Sequence, residues 1–225
     1  MKPKVVTMAG NYDLIVFDWD GTLMDSTAWI VTAIQRASAD LGLKVPTHEQ
    51  ASYVIGMSLT EALGAAIPEL DPTDYPRLIE RYRAHYFSAD QDLVLFDGVP
   101  DLLRGLSAQG KQLAVATGKS RKGLERAFAT SGLGDLFNAT RTADETFSKP
   151  NPTMLLELMD ELMCAPERTI MVGDTTHDLL MAQNAGTDAL AVGFGAHPAE
   201  DLLDLSPRGI FHSVPDLAQW LAENG

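Results

Sequence analysis

The run Leu14-Ile15-Val16-Phe17, followed at once by Asp18-Trp19-Asp20-Gly21, limits the chain's options more than any other stretch. Four apolar residues without polar alternation read as a strand buried on both faces, as in a parallel sheet. Two carboxylates that follow such a strand emerge at the carboxyl edge of the sheet, where open α/β sheets bind ligands. Gly21 lets the chain turn away without a Cβ clash. Two acids one residue apart can also divide labour. An ionised carboxylate can be a nucleophile and hold a metal, while a protonated neighbour serves as acid and then base. Asp and Gly are also common turn residues, so the meaning of this stretch depends on the rest of the chain.

Between about residues 27 and 92 the pattern is helical. Ile30, Ala33, Ile34, Ala37 and Leu41 recur at helical spacing after Ser26, a candidate cap, and stop at Gly42. Thr47-His48-Glu49-Gln50 and Ser58-Leu59-Thr60-Glu61 both read as capping boxes, and Pro76 opens a helix striped by Leu78, Ile79, Tyr82 and Tyr86. From Phe96 onward short apolar strands alternate with helices. Strands are predicted at 113–116, weakly at 137–140, at 169–172, at 189–192 and weakly at 210–211. Helices are predicted from Pro100 to near Gly110, from Ser120 to about Ser131, from Asn151 to about Cys164, and after Asp174 up to Gly186. This alternation predicts an α/β fold: a doubly wound, parallel, Rossmann-like sheet formed by residues 1–26 and 93–225, with an all-helical cap subdomain, 27–92, inserted after the first strand.

Three later stretches repeat the theme of polar groups at a strand end. Thr117-Gly118-Lys119-Ser120 offers a hydroxyl and backbone N–H groups at a helix start, suited to an anion. Ser148-Lys149-Pro150-Asn151-Pro152 presents a lysine on a loop stiffened by two prolines. Gly173-Asp174-Thr175-Thr176-His177-Asp178 adds two acids, the hard oxygen ligands that Mg²⁺ takes. His177 reads as a peripheral loop histidine. Each stretch has an ordinary structural explanation as a cap or turn. Together, in one sheet edge, they describe metal-assisted phosphoryl transfer.

Charge narrows the partners. With 17 basic against 31 acidic side chains the net charge is −14, which lacks the footprint of a nucleic-acid binder and is repelled by an anionic membrane. A small phosphorylated substrate therefore needs a metal or local cations. The single cysteine, Cys164, allows no internal disulfide and no cysteine zinc cluster, which fits a reducing cytoplasm and a packing role. Residues 1–10 hold too short an apolar patch for a signal-peptide core, and no run approaches the roughly 18 apolar residues of a membrane span.

The four stretches resemble the motifs of the haloacid dehalogenase-like hydrolase superfamily, from about Tyr12 to Val192, and the helical insert resembles the cap of its phosphoglycolate phosphatase-like branch. The resemblance implies a Mg²⁺-dependent phosphatase. Asp18 would attack phosphorus and form an aspartyl-phosphate. Asp20 would protonate the leaving oxygen and then activate water. Asp18, the Asp20 main-chain carbonyl and Asp174 would hold Mg²⁺, with Asp178 a ligand through water or an orienting group. Thr117, the Gly118 N–H and Lys149 would hold the phosphoryl oxygens. Trp19 stands where that branch often has a smaller aliphatic residue or phenylalanine, and is expected to pack beneath or beside the site.

Phosphoglycolate is the expected substrate from this likeness, with a pyrophosphatase, nucleotidase, sugar phosphatase or phosphomutase as alternatives on the same motifs. A dehalogenase has no need of Asp20. A receiver domain is about half this length and lacks the Asp-x-Asp on its first strand, and an inert binding domain would be favoured by a missing acid or lysine. Substrate choice falls to the cap. Candidates are Tyr53, the Gly56-Met57 turn, and Arg77, Arg81, Arg83 and His85, of which Arg77, Arg81 and His85 share a helix face. A solvated basic face is the ordinary alternative. Hinges are expected near Ser26 and Gln91-Asp92, the enzyme as monomer or homodimer, and Phe194-Gly195-Ala196-His197-Pro198 as a loop near the site mouth.

Overall fold

A computed structural model of the chain describes residues 12–87 and 94–225. The anticipated hinge at Gln91-Asp92 and the N-terminal residues 1–10 lie outside the described residues.

Among the described residues six parallel strands form one sheet in the order β3-β2-β1-β4-β5-β6. They are β1 Leu14–Phe17, β2 Gln112–Thr117, β3 Ala139–Thr142, β4 Thr169–Gly173, β5 Asp188–Val192 and β6 Ile210–Phe211. Side chains alternate between the two sheet faces, and each face builds its own core. Ile15, Phe17, Leu113, Val115, Ile170 and Val172 pack under α5 (Val99–Ala108), α6 (Arg121–Ser131) and α10 (Val214–Asn224). Leu14, Val16, Ala114, Ala116 and Met171 pack under α7 (Thr153–Glu161), α8 (Thr176–Ala185) and α9 (Ala199–Leu203). With both faces covered, β1 is buried throughout, which is why its sequence shows no polar alternation.

The helical insert holds α1 (Thr27–Asp40), α2 (His48–Tyr53), α3 (Leu59–Ala66) and α4 (Tyr75–Phe87) around a separate apolar cluster that includes Ile30, Ile34, Val54, Leu63 and Leu78. The chain leaves and rejoins the sheet side by side: Asp25 N–H donates to Val94 O (2.9 Å) and Phe96 N–H to Leu23 O (3.0 Å).

Local chemistry explains most boundaries. Thr47 and Gln50 make the reciprocal capping box. Ser58 makes only half of one. Its Oγ meets Glu61, but its N–H donates to Ser148 Oγ across the sheet–insert seam (2.8 Å). Gly132 and Gly186 end their helices in the left-handed conformation. Strand β3 begins two residues later than predicted, because Phe137 is drawn into the Trp19–Phe128 ring cluster. Helix α7 stops at Glu161, short of Cys164, and α9 and α10 in the C-terminal tail were not anticipated.

Candidate active site

The register of the sheet assembles the site. Phe17 pairs with Val115 on one side and Val172 on the other, so the residues that follow β1, β2 and β4 project from the same edge. Asp18 is held there by its own N–H, which donates to Val172 O (2.9 Å).

Lys149 Nζ donates to Asp18 Oδ1 at 2.6 Å and stands 2.7 Å from Asp178 Oδ1, all three side chains being closed to solvent. The contact with Asp178 Oδ1 is ionic, its geometry falling short of a hydrogen bond. Asp178 Oδ2 closes the N-terminal capping box of α8, accepting from Thr175 N–H and Oγ1–H. Asp174 is fixed at both oxygens: Thr22 Oγ1 donates to Oδ1 (2.8 Å) and Ala196 N–H to Oδ2 (2.7 Å). Room for that carboxylate depends on Gly21, whose φ of +80° suits glycine and where a Cβ would overlap the Asp174 side chain.

One carboxylate oxygen from each of Asp18, Asp174 and Asp178 lies within 4.8 Å of the others. Asp18 Oδ2 is buried with no hydrogen-bond partner among the described residues. Three buried carboxylates, one with an orphaned oxygen and a single lysine between them, carry more negative charge than the site neutralises. A hard divalent cation such as Mg²⁺ fits this donor set. Burial pushes the Asp18 carboxyl up to about 7; Lys149 opposes that rise, and the Asp178 and Asp20 charges add to it. Asp174 is likewise raised well above the ordinary carboxylate range, by burial first and then by Asp18 and Asp178. Lys149 is held charged: burial works against its ammonium, and the two aspartates outweigh it.

Asp20 is held differently. Ser26 Oγ–H donates to Oδ1 (2.6 Å), and Lys119 Nζ stands 2.9 Å from Oδ2. Lys119 also donates to Tyr86 OH of the insert (3.0 Å). Burial disfavours its charge, but Asp20 and Tyr86 reverse that and keep it protonated. Ser26, expected as a cap for α1, makes no capping bond and instead orients Asp20.

Thr117 is fully buried at the end of β2, its Oγ1 accepting from Lys119 N–H (3.2 Å). Gly118 is pressed from the insert side. A Cβ there would overlap the main-chain carbonyls of Gly56 and Met57, so the insert closes directly over this strand end. The two halves are also joined by Ser52 Oγ–H to Ala196 O (2.7 Å) and by Tyr53 O, which accepts from both His177 Nε2 (2.9 Å) and His197 Nε2 (3.0 Å). His177 is therefore a buried seam residue, and the peripheral loop position expected for it is corrected. His197 stacks on the Tyr53 ring at 4.9 Å and accepts from Thr176 N–H through Nδ1. Burial and the neighbouring His177 lower its pKa.

A cavity of about 420 Å³ opens between the insert and the strand ends, lined by Asp18, Asp20, Thr117, Gly118 and Lys119 below and by the insert above. Of the insert residues singled out for specificity, Gly56, Met57 and Arg83 line it. Tyr53 lies at the seam with the histidines, outside the cavity lining. Arg81 is exposed away from the cavity, and His85 pairs with Asp40 (2.7 Å). Arg77 pairs with Asp74 (3.0 Å). The shared face of Arg77, Arg81 and His85 thus looks outward, and Arg83 is the arginine of α4 on the cavity wall. Trp19 packs in the core against Phe128 and Phe137, as expected, with its indole N–H unpaired.

Several residues of the site escaped the sequence reading: Thr22, Ser26 as an Asp20 partner, Lys119, Tyr86 and His177 at the seam, whereas His197 falls in the loop expected near the site mouth. Only Lys119 carried a signal, its place two residues beyond the Thr117 hydroxyl.

The pattern of the family described as haloacid dehalogenase-like hydrolase matches residues 15–192. The chain is 36% identical over 91% of its length to a protein of Dickeya dadantii named "Probable phosphatase IndB", covering 91% of that protein. It is 34% identical over 89% of its length to a phosphoglycolate phosphatase of Aliivibrio fischeri, covering 92% of it. The crystal structure of a hydrolase from Pseudomonas syringae shares the fold at a TM-score of 0.84 and 22% identity, over 93% of this chain and 97% of that one.

Proposed function

The chain belongs to the haloacid dehalogenase-like hydrolases, and from that premise we propose that it is a Mg²⁺-dependent phosphatase that cleaves small phosphate monoesters through an aspartyl-phosphate on Asp18. The observation that carries this reading is the buried set of Asp18, Asp174 and Asp178 around Lys149, with Asp18 Oδ2 left unpaired.

Asp18, Asp174 and the Asp20 main-chain carbonyl are the proposed holders of Mg²⁺, with Asp178 beside them. The ion supplies charge neutralisation for the phosphoryl group. Lys149 adds a fixed positive charge on the same side, and Thr117 and the Gly118 N–H orient the phosphoryl oxygens. In the first step an Asp18 oxygen bonds to phosphorus, the ester P–O bond breaks, and the leaving oxygen takes a proton from Asp20. In the second, Asp20 takes a proton from water, whose oxygen attacks phosphorus. The Asp18–phosphorus bond then breaks, releasing phosphate. Ser26 and Lys119 hold the Asp20 carboxyl where both transfers need it.

Residues 27–92 act in this reading as a cap that closes over the substrate and excludes water. Phosphoglycolate, the substrate named for the Aliivibrio relative, is its narrow form. The protein works in the cytoplasm, as monomer or homodimer. Among the described residues no helix is long and apolar enough to cross a membrane.

The test is phosphate release from a set of monoesters with and without a chelator, together with trapping of radiolabelled phosphoenzyme. Asp18→Asn is expected to lower turnover by roughly 10⁴-fold or more and to abolish the labelled band. Substantial residual turnover removes Asp18 as nucleophile, and activity unchanged by the chelator removes the metal.

A further inference from the structure

The cavity that meets the reactive acids is larger and more apolar than a glycolate leaving group needs. Ile30, Ile34, Val54, Ile79, Tyr82 and Tyr86 form its roof. Among the described insert residues that line it, only Arg83 is charged, and Arg83 is exposed. On the sheet side the lining cation is Lys119, whose ammonium is engaged by Asp20 Oδ2 and Tyr86 OH. A carboxylate two bonds from the ester oxygen would have to compete with Asp20 for that ammonium or pair with the solvent-exposed Arg83, where a water-screened ion pair is worth little; elsewhere it sits uncompensated against aliphatic side chains. An apolar ring meets no such conflict, and pockets of a few hundred Å³ with apolar walls and few polar groups suit ring-sized ligands.

Resting on the phosphatase reading, we propose that the preferred substrate is a phosphate monoester of a primary alcohol bearing a ring-sized apolar body, which lies beneath the roof formed by α1, α4 and Val54 at the end of α2. The chemistry is the same two-step hydrolysis. The P–O bond to this alcohol breaks, its oxygen takes the Asp20 proton, and the neutral alcohol departs from an apolar chamber. Specificity then comes from contact area on the insert.

Two measurements test this. The first is kcat/KM with Mg²⁺ for esters of similar primary alcohols: 2-phosphoglycolate, glycerol phosphate and benzyl phosphate. Benzyl phosphate is expected to exceed phosphoglycolate by about tenfold or more, mainly through KM. Ile79→Trp, which fills the chamber from a half-buried position on α4, is expected to erase that advantage by lowering kcat/KM for benzyl phosphate by about tenfold. Phosphoglycolate equal to or better than benzyl phosphate in the wild-type protein overturns the proposal, as does an Ile79→Trp variant of unchanged thermal stability that retains the preference. The second measurement is calorimetric binding of the uncleavable analogues 2-phenylethylphosphonate and 3-phosphonopropionate to the Mg²⁺-loaded protein. Tighter binding of the phenyl analogue is expected, and equal or weaker binding overturns the proposal even if no ester is turned over. Absence of phosphate release from every ester, with the phenyl analogue bound tightly, defeats the phosphatase reading and leaves the chamber assignment standing.

Discussion

The two walls of the site are built on opposite principles. The sheet wall is a set of buried charges, each tied to a named partner: Asp18 to Lys149, Asp174 to Thr22 and Ala196, Asp178 to Thr175. The insert wall is mostly aliphatic and aromatic, and it reaches the acids through one tyrosine hydroxyl on Lys119. On the sheet wall a change of an ångström or a charge alters chemistry. On the insert wall a change of volume alters which molecule is accepted. On the proposed phosphatase reading, the comparison separates a part that would determine reaction type from a part that would determine leaving group.

The largest effect that would sharpen the contrast is expected from Lys149→Met. This variant leaves Asp18 and Asp178 buried without their shared cation, and breaking a buried pair from one side costs about 3–5 kcal/mol. Denaturant unfolding of the metal-free protein reads this, and a loss below about 1 kcal/mol would show the pair to be effectively solvated and break the distinction. Gly118→Ala probes the line where the walls meet. Its methyl overlaps the Gly56 and Met57 carbonyls, so the insert must lift, and a loss of about 10²-fold in kcat/KM is expected with little change in folding stability. Unchanged kinetics would mean that closure at this line does not matter to turnover.

The smallest effect is on pH dependence, and it belongs to the sheet wall alone. Asp18 sits near 3.8 in the unfolded chain and about 7 in the folded, metal-free protein. Between these values the native state holds a proton that the unfolded chain has released, so stability falls as pH rises from about 4 to 7 and this group adds nothing further above that. Asp174 shifts in the same direction. Melting temperatures of the chelator-treated protein are expected to decline across that window, with a shallower decline in Asp18→Asn and in the presence of Mg²⁺. A rise across the same window would contradict the burial described for these carboxylates.

How much of this was legible depends on how far apart the interacting residues are in the chain. Asp18 and Asp174 stand directly after strands, Asp20 follows two residues behind Asp18, and Thr117 ends β2; an apolar run that meets polar residues and a glycine marks all four. The uninterrupted apolar runs that marked the strands also marked the carboxyl edge of the sheet. The bonds that hold those groups in place are different: Thr22 to Asp174 spans 152 residues, and His197 to Tyr53 spans 144. No local pattern encodes such pairs. Helix α4 shows the same limit. Spacing correctly grouped Arg77, Arg81 and His85, but periodicity does not tell which face meets a cavity, and it is the Tyr82–Tyr86 side, flanked by Arg83, that does. Ser26 had both a cap's position and a hydroxyl, and the nearby Asp20 carboxylate was the better acceptor.

The central position of β1 has a consequence for biosynthesis. Asp18 is made early, but its cation Lys149 follows 131 residues later, and Asp174 later still. The strands that flank β1 also come from the second half of the chain, whereas α1–α4 are neighbours in sequence and contact one another locally. Contacts of long sequence separation form last, and local helical ones form early. A ribosome-bound or prematurely terminated chain can therefore carry a folded roof over an aspartate with nothing to work with. On the proposed reading, truncation before Lys149 would leave Asp18 without its cation, so the site could be complete only once translation has passed most of the sheet.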